Sequence, residues 1–369
     1  MNLQGTIVAF LVSQSSWGLL YIVGSTSIIR NPLVMLAAGV IFIPGFAILL
    51  RKLLPSVYED NLGTHKRNWF FYMCCLFSWS CVIDIVLCLE SLGYIDGYMD
   101  FYLESGEPYF ITSFGIYINM WDAVIHYILY LTIIYKYDNK QDYRSYGIYW
   151  LGSMLAGMFV LTIGAIVGSY GNDLHPAMFL NIPYIILPFC ALVYLLRLPR
   201  DENSPVQEYP PAELRSKSIG AFDILVILGL IASTVIGFVR GLASLGSPFP
   251  MIVHYVKEYE PYLSDPTKFG ALHCLFNFVY CLPAQVMLIY ALVKGGGKWA
   301  DDLSTILSGA MAQGVFFHAL AAVSSLTPLE FRVVSNVEFF LVLNALIVLV
   351  PHFAMFRLKQ KKNEHLKFQ

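Results

Sequence analysis

The chain has 369 residues, of which 57% are hydrophobic, 15% aromatic and 13% charged, and its mean hydropathy is +0.62. A soluble globular domain carries about 25% charged residues, so this composition excludes a water-soluble fold and points to a membrane protein. The net charge of -2 says little by itself, but with no basic domain or stripe nucleic acid is not expected as a partner.

A membrane-crossing helix needs about 20 mostly apolar residues, and ten stretches of the chain qualify. In chain order they are 6–26, 33–54, 69–89, 111–135, 147–168, 177–196, 220–242, 269–293, 303–323 and 337–356. The first is broken by Ser13, Gln14, Ser15 and Ser16, and no Lys or Arg precedes residue 30. With no small-residue cleavage site, it is expected to be retained as a span rather than removed as a signal peptide. The seven cysteines lie in these apolar stretches without metal-type spacing and read as small core residues.

Positive residues stay on the cytoplasmic side of a membrane. Alternate loops place 18 Lys and Arg on one side, against Arg30, Lys257, Lys268 and Arg332 on the other, with Arg240 inside a span. Both termini are therefore expected in the cytoplasm. The stretch 199–218 is polar and Pro-rich, and reads as a cytoplasmic linker. It gives five parts: an N-terminal pair of spans at 1–65, four-helix modules at 66–198 and 219–356 around the linker, and a basic tail at 357–369.

The two modules are copies of one another. Val82 to Gly93 matches Val235 to Gly246 at seven of twelve positions without a gap, and the same spacing of 153 residues carries Glu107-Pro108-Tyr109 onto Glu260-Pro261-Tyr262. A register shared over that distance is an internal duplication. Further on, Asn181 and Pro188 match Asn344 and Pro351 at a spacing of 163. Four spans per copy is an even number, so the copies share one orientation. Both Glu-Pro-Tyr loops then face the lumen, where their acidic and aromatic residues suit the headgroup layer.

Few ionisable residues lie in the spans, and each has an ordinary reading beside a functional one. Asp122 and His126 are one helical turn apart with Trp121 adjacent. They form either an acid/base pair or a mutual hydrogen bond that lowers the cost of burying both. Asp84 and Arg240 stand three residues apart in repeat register, which suggests a charge pair between the copies. In the functional version Arg240 anchors a lipid headgroup, hydroxyl or carboxylate. Glu107 and Glu260, each before a proline, read as helix-initiation signals or as polar lids at a cavity mouth. Asn181 and Asn344 read first as interhelical hydrogen-bond donors. His318 and His273 have no carboxylate or Cys at ligand spacing, so neither a metal nor a cofactor is expected.

The stretch Tyr98 to Leu131, the motif Glu258 to Pro266 and the paired Asn-to-Pro helices resemble the transmembrane 6 superfamily. The resemblance implies an all-helical membrane fold of about ten spans, in which two leading helices precede two parallel-oriented EXPERA modules. The modules are also similar to the emopamil-binding protein, a sterol isomerase, and to the sigma-2 receptor, which binds sterols. What this implies is a multi-pass endoplasmic reticulum protein of sterol and neutral-lipid metabolism, linked to triglyceride and cholesterol secretion and to lipid droplets. The ER-Golgi intermediate compartment and the lysosomal membrane are the other compartments considered. Its implied ligand is a sterol or neutral lipid, its implied partners are membrane proteins of lipid metabolism, and its oligomeric state is left open.

The isomerase pattern has a His and, four residues on, a Glu where this chain has Asp84 and Cys88, and Gly237 and Gly241 in the second copy. Its catalytic Glu corresponds to Asp122, and its Trp to Tyr184 and Ile347. Moving a ring double bond needs a proton donor, a stabilised cation and a base, and an aromatic face helps the cation. If sterol isomerisation is retained it belongs to the first copy, with Asp122, His126 and Asp84 as the reacting groups. Trp121, Tyr184, Asn181, Glu107, Arg240, Glu260, His318 and Asn344 are then the candidate substrate-binding residues. A lipid transporter, scramblase or carrier is the alternative reading, which parallel repeats would suit.

Overall fold

The computed structural model describes residues 2–60, 63–199, 219–294 and 296–366. Among them are ten helices long and apolar enough to cross a membrane: Gln4–Gly24, Pro32–Leu53, Trp69–Ser91, Ser113–Asp138, Arg144–Val167, Pro176–Arg197, Ala221–Ser244, Phe269–Lys294, Lys298–Val323 and Val337–Gln360. These are the ten stretches that hydropathy singles out, with ends moved by a few residues, and the fold is an all-helical multi-pass membrane protein. Nearly all of the linker at 199–218 lies outside the described residues, as do the last three residues of the tail.

Sequence-local chemistry starts several spans. Asn31 accepts from the backbone N–H of Leu33 and Val34 ahead of Pro32, Asn68 accepts from Phe70 and Phe71, and Thr112 accepts from Gly115. Each such cap satisfies donors that the first helical turn leaves free. The break in the first span falls at Gln14, between Gln4–Ser13 and Ser15–Gly24. Its neighbours are employed rather than merely tolerated: Ser13 Oγ lies 2.7 Å from the Tyr127 hydroxyl, and Ser16 Oγ donates to the Trp79 carbonyl at 3.1 Å. A buried hydroxyl with a partner avoids most of its desolvation cost.

Packing divides the chain into two compact units, Met1–Gly147 with Tyr170–Leu198, and Ile148–Ser169 with Pro199–Gln369. In the first, the leading pair of spans is fastened to the third span and the loop beyond it. Leu20, Ile29 and Met35 share one buried cluster with Val86, Leu87, Met99 and Phe101. In the second, the fifth span meets the ninth with almost no side chain between them. A Cβ on Gly152 would lie 1.9 Å from the Ile306 carbonyl oxygen, and one on Gly309 2.0 Å from that of Tyr149. Beside this contact Ser153 Oγ donates to Gln313 Oε1 at 2.7 Å. Small residues that let backbones approach, with a polar bond alongside, are how helices associate without a hydrophobic driving force. The repeat boundaries at 66–198 and 219–356 and the packing boundaries therefore part company at the fifth span.

One feature of the helices is not visible in hydropathy. The fourth and eighth spans each contain a π-helical turn, at Asp122–His126 and Asn277–Cys281. Such turns widen the helix by one residue and are frequent at functional sites.

Candidate functional site

Two groups of polar side chains stand out, and the first kind is made in each repeat by the Glu-Pro-Tyr loop. In both loops the glutamate precedes a single 3-10 turn with proline in its first position, Pro108–Ile111 and Pro261–Ser264. The expectation that these residues initiate a helical turn is met by the backbone alone. Neither carboxylate caps the turn, and both side chains point inward, with Glu107 1% and Glu260 0% exposed.

In the first repeat the Glu90 carboxylate accepts from the backbone N–H groups of Gly97, Tyr98, Met99 and Asp100. That anchor fixes the start of the short helix Asp100–Ser105, which carries Tyr102. Tyr102 and Tyr109 donate their hydroxyls to Glu107, and Asn181 Nδ2 donates to Glu107 Oε1 at 2.5 Å. Burial pushes the Glu107 carboxyl up to about 6, against the three hydrogen bonds that favour its charged form.

The second repeat follows the same plan with a cation added. Tyr255, 153 residues after Tyr102, donates to Glu260 Oε2 at 2.5 Å, Arg240 Nε donates to the same oxygen at 2.8 Å, and His318 Nε2 lies 2.6 Å from Oε1. Arg240 Nη1 in turn donates to Asn344 Oδ1 at 3.1 Å. Burial works to raise Glu260 as well, but the Arg240 guanidinium and the His318 hydrogen bond bring it down to about 2. Corresponding carboxyls are thus held on opposite sides of their ordinary value.

Two expectations are corrected here. Arg240 takes its counter-charge from Glu260 in its own repeat, not from Asp84, because a carboxylate only 20 residues away folds back onto it. His318 does have a carboxylate partner, supplied by Glu260 from 58 residues away, a distance no spacing rule covers. Asn181 donates, though to the loop residue Glu107 rather than to a neighbouring helix, whereas Asn344 accepts from Arg240 and donates to the Phe340 carbonyl of its own helix.

Glu260, Cys274 and His318 each bring one potential ligand atom within 4.8 Å of the others. The Arg240 guanidinium already sits on that carboxylate, so a metal cation would enter against a fixed positive charge. This donor set does not fit a metal.

The second polar group lies in the first repeat, within the spans. His126 Nδ1 is 2.8 Å from Asp122 Oδ1 inside the π-helical turn. His126 is buried and Asp122 partly so, and Trp121 beside them is buried. Asp84, on the third span, is close enough to Asp122 for their charges to interact. Tyr184, on the sixth span, hydrogen-bonds Ser80 and stacks on Phe77 at 4.8 Å. The structure therefore brings Asp84, Asp122, His126, Trp121 and Tyr184 to neighbouring positions, and places Asn181 with Glu107 instead.

Tyr102, Tyr109 and Tyr255 are carboxylate partners that the sequence reading passes over. Their signal is present: Tyr102 and Tyr255 share the repeat spacing and each stands five residues before its glutamate.

A family model described as "Transmembrane 6 superfamily member 2-like, transmembrane domain" matches residues 15–205. The chain is similar to transmembrane 6 superfamily member 2 of Mus musculus, with 32% identity over 91% of this chain and 88% of the relative. The human protein of that name is 31% identical over 85% of this chain and 84% of its own length. No solved structure matches.

Proposed function

The chain belongs to the transmembrane 6 superfamily, and on that premise we propose that it binds a sterol or related lipid within the membrane and regulates lipid storage and secretion from the endoplasmic reticulum. Both termini then lie in the cytoplasm and the two Glu-Pro-Tyr loops in the lumen. The observation that carries the reading is the grouping of Asp84, Asp122 and His126 between apolar spans. Ionisable side chains at membrane depth are costly and are kept for a purpose.

The same residues supply the parts of a double-bond shift. A protonated carboxyl at Asp122 or Asp84 gives its proton to one alkene carbon, the Trp121 ring faces the resulting cation, and the second carboxylate, or His126 acting through Asp122, removes a proton from the neighbouring carbon. One proton is gained and one lost, so no cofactor enters. The glutamates of the loops do a different job here. They fix the loop of each repeat against its own last helix through Asn181 or, by way of Arg240, Asn344.

The test is the sterol profile, by mass spectrometry, of cells lacking their own sterol isomerase and expressing the wild type or Asp122→Asn. Conversion of the accumulated precursor by the wild type alone supports the catalytic reading. No conversion by correctly inserted wild type removes catalysis and leaves lipid binding, which a saturable cross-link to a photoactivatable sterol then checks.

A further inference from the structure

The duplication gives each span of the second repeat a counterpart in the first, and one pair differs sharply in how it is packed. The seventh span, Ala221–Ser244, corresponds to the third, Trp69–Ser91. In the most apolar stretch of the third span 67% of the residues are buried, against 22% in the seventh, whereas the fourth and eighth spans agree closely at 39% and 44%. The difference lies on one face. Phe71, Cys75, Ser78 and Val82 are no more than 5% exposed, while Ile224, Leu228, Ile231 and Val235, each 153 residues further on, are 45% to 58% exposed. What covers this face in the first repeat is the leading span, both halves of which pack along the third. A Cβ on Gly5 would lie 3.1 Å from Phe71 Cζ, and Ser16 donates to the Trp79 carbonyl. On the seventh span the same face is left open among the described residues.

The shape of the open face says what fits it. From Ile224 to Phe238 its large apolar side chains recur at steps of four, three, four and three, and Leu245 follows seven residues on. At 1.5 Å per residue this ridge runs about 30 Å, the thickness of the hydrocarbon core. None of these side chains is charged or polar, so a polar ligand or a soluble protein has nothing to grip. A heptad ridge packs side by side against a parallel ridge of the same kind, knobs into holes, and close packing is what associates helices within a bilayer. Two copies of this chain inserted in one membrane share an orientation, so a twofold axis along the membrane normal sets their seventh spans parallel. The leading span of a neighbouring copy cannot serve instead, because it is already fastened to its own third span.

We propose that two copies of this chain associate through the outer faces of their seventh spans, in the place that the leading span fills in the first repeat. The pairing does not depend on what the chain binds. Because these side chains are already exposed in the single chain, substitutions among them alter association and leave the fold alone.

The experiment uses the full-length chain in the membranes of expressing cells, with Cys190→Ser removing the exposed native thiol. Oxidation with copper phenanthroline should link Ile231→Cys to itself, and likewise Val235→Cys, as disulfide-bonded dimers. Ile186→Cys and Leu349→Cys, comparably exposed on the sixth and tenth spans, should stay single. Counting photobleaching steps of the fluorescently labelled chain in liposomes then measures the association itself. The double variant Ile231→Ala with Val235→Ala should weaken it about tenfold while leaving the unfolding midpoint unchanged. Equal cross-linking at all four positions, or single bleaching steps at every protein-to-lipid ratio, would overturn the pairing and assign the open face to lipid or to a different membrane protein. An association that the double variant leaves at full strength would place the contact elsewhere and overturn it too.

Discussion

Tyr102 donates to Glu107 and Tyr255 donates to Glu260, the same bond made by the same atoms 153 residues apart. What surrounds the pair differs. Leu87 occupies the position in the first repeat that corresponds to Arg240, so only the second carboxylate has a buried cation beside it. The same tyrosine bond is thus made to a carboxyl raised to about 6 in one repeat and to one lowered to about 2 in the other.

Removing one member of a buried ion pair leaves the other charge uncompensated. Glu260→Gln is expected to cost about 3–5 kcal/mol, read as a lowered unfolding midpoint in micelles. The double variant Arg240→Met with Glu260→Gln should recover much of that loss. Glu107→Gln, which strands no charge, should cost about 1 kcal/mol. Equal losses from the two single variants would contradict the difference drawn here.

The two carboxyls also make opposite contributions to pH dependence. Glu107 is raised from 4.5 to about 6 in the folded state, so the folded protein binds more protons than the unfolded chain between those values. Its contribution, on the order of 2 kcal/mol, is present below pH 4.5 and lost as pH rises through about 6. Glu260 is lowered from 4.5 to about 2; its contribution, on the order of 3 kcal/mol, is present above pH 4.5 and lost as pH falls toward 2. Subtracting the stability profile of Glu107→Gln from that of wild type between pH 4.5 and 7 isolates the first effect. A flat difference would refute it.

The contact between the fifth and ninth spans leaves no room for a side chain at Gly152 or Gly309. Gly309→Val should force the helices apart and destabilise by about 1–3 kcal/mol. Gly45, where a Cβ meets nothing within 4 Å, is the control, and Gly45→Ala should unfold like the wild type.

Two arginines of the first unit should respond very differently. Arg67 is paired with Asp138 at 2.6 Å, both side chains essentially unexposed, and Arg67→Met should cost about 3–5 kcal/mol. Arg30 bridges Asp100 and Glu104 at the surface with 44% of its side chain exposed. Arg30→Ala should leave the unfolding midpoint almost unchanged, with any small effect disappearing in high salt.

The spans are legible in the sequence because unbroken apolar runs of this length are rarely needed outside a bilayer, and the Glu-Pro-Tyr loops stand out because duplication repeats them. The inward turn of the two glutamates is not legible. A carboxylate before proline looks the same in sequence whether it caps a helix or enters the interior, and the partners that decide the matter, Asn181 and His318, are 74 and 58 residues away. Asp84 and Arg240 stand only three residues apart in repeat register, which suggests a pair, but duplication aligns positions without bringing them together. Tyr102 and Tyr255 are hidden by their surroundings, since tyrosines in a loop between membrane spans also suit the headgroup layer. The Asp122 and His126 pair is readable because one helical turn fixes it locally.

The fifth span adds a constraint of timing. Its Gly152 and Ser153 surface is synthesised roughly 150 residues before Gly309 and Gln313 exist to cover it. At about 5–20 residues per second, this helix waits on the order of ten to thirty seconds in the bilayer with a small-residue face and a serine hydroxyl exposed to whatever else is there. The second unit therefore cannot mature before translation is nearly finished, and a ribosome stalled near the linker would release a helix whose proper neighbour never arrives.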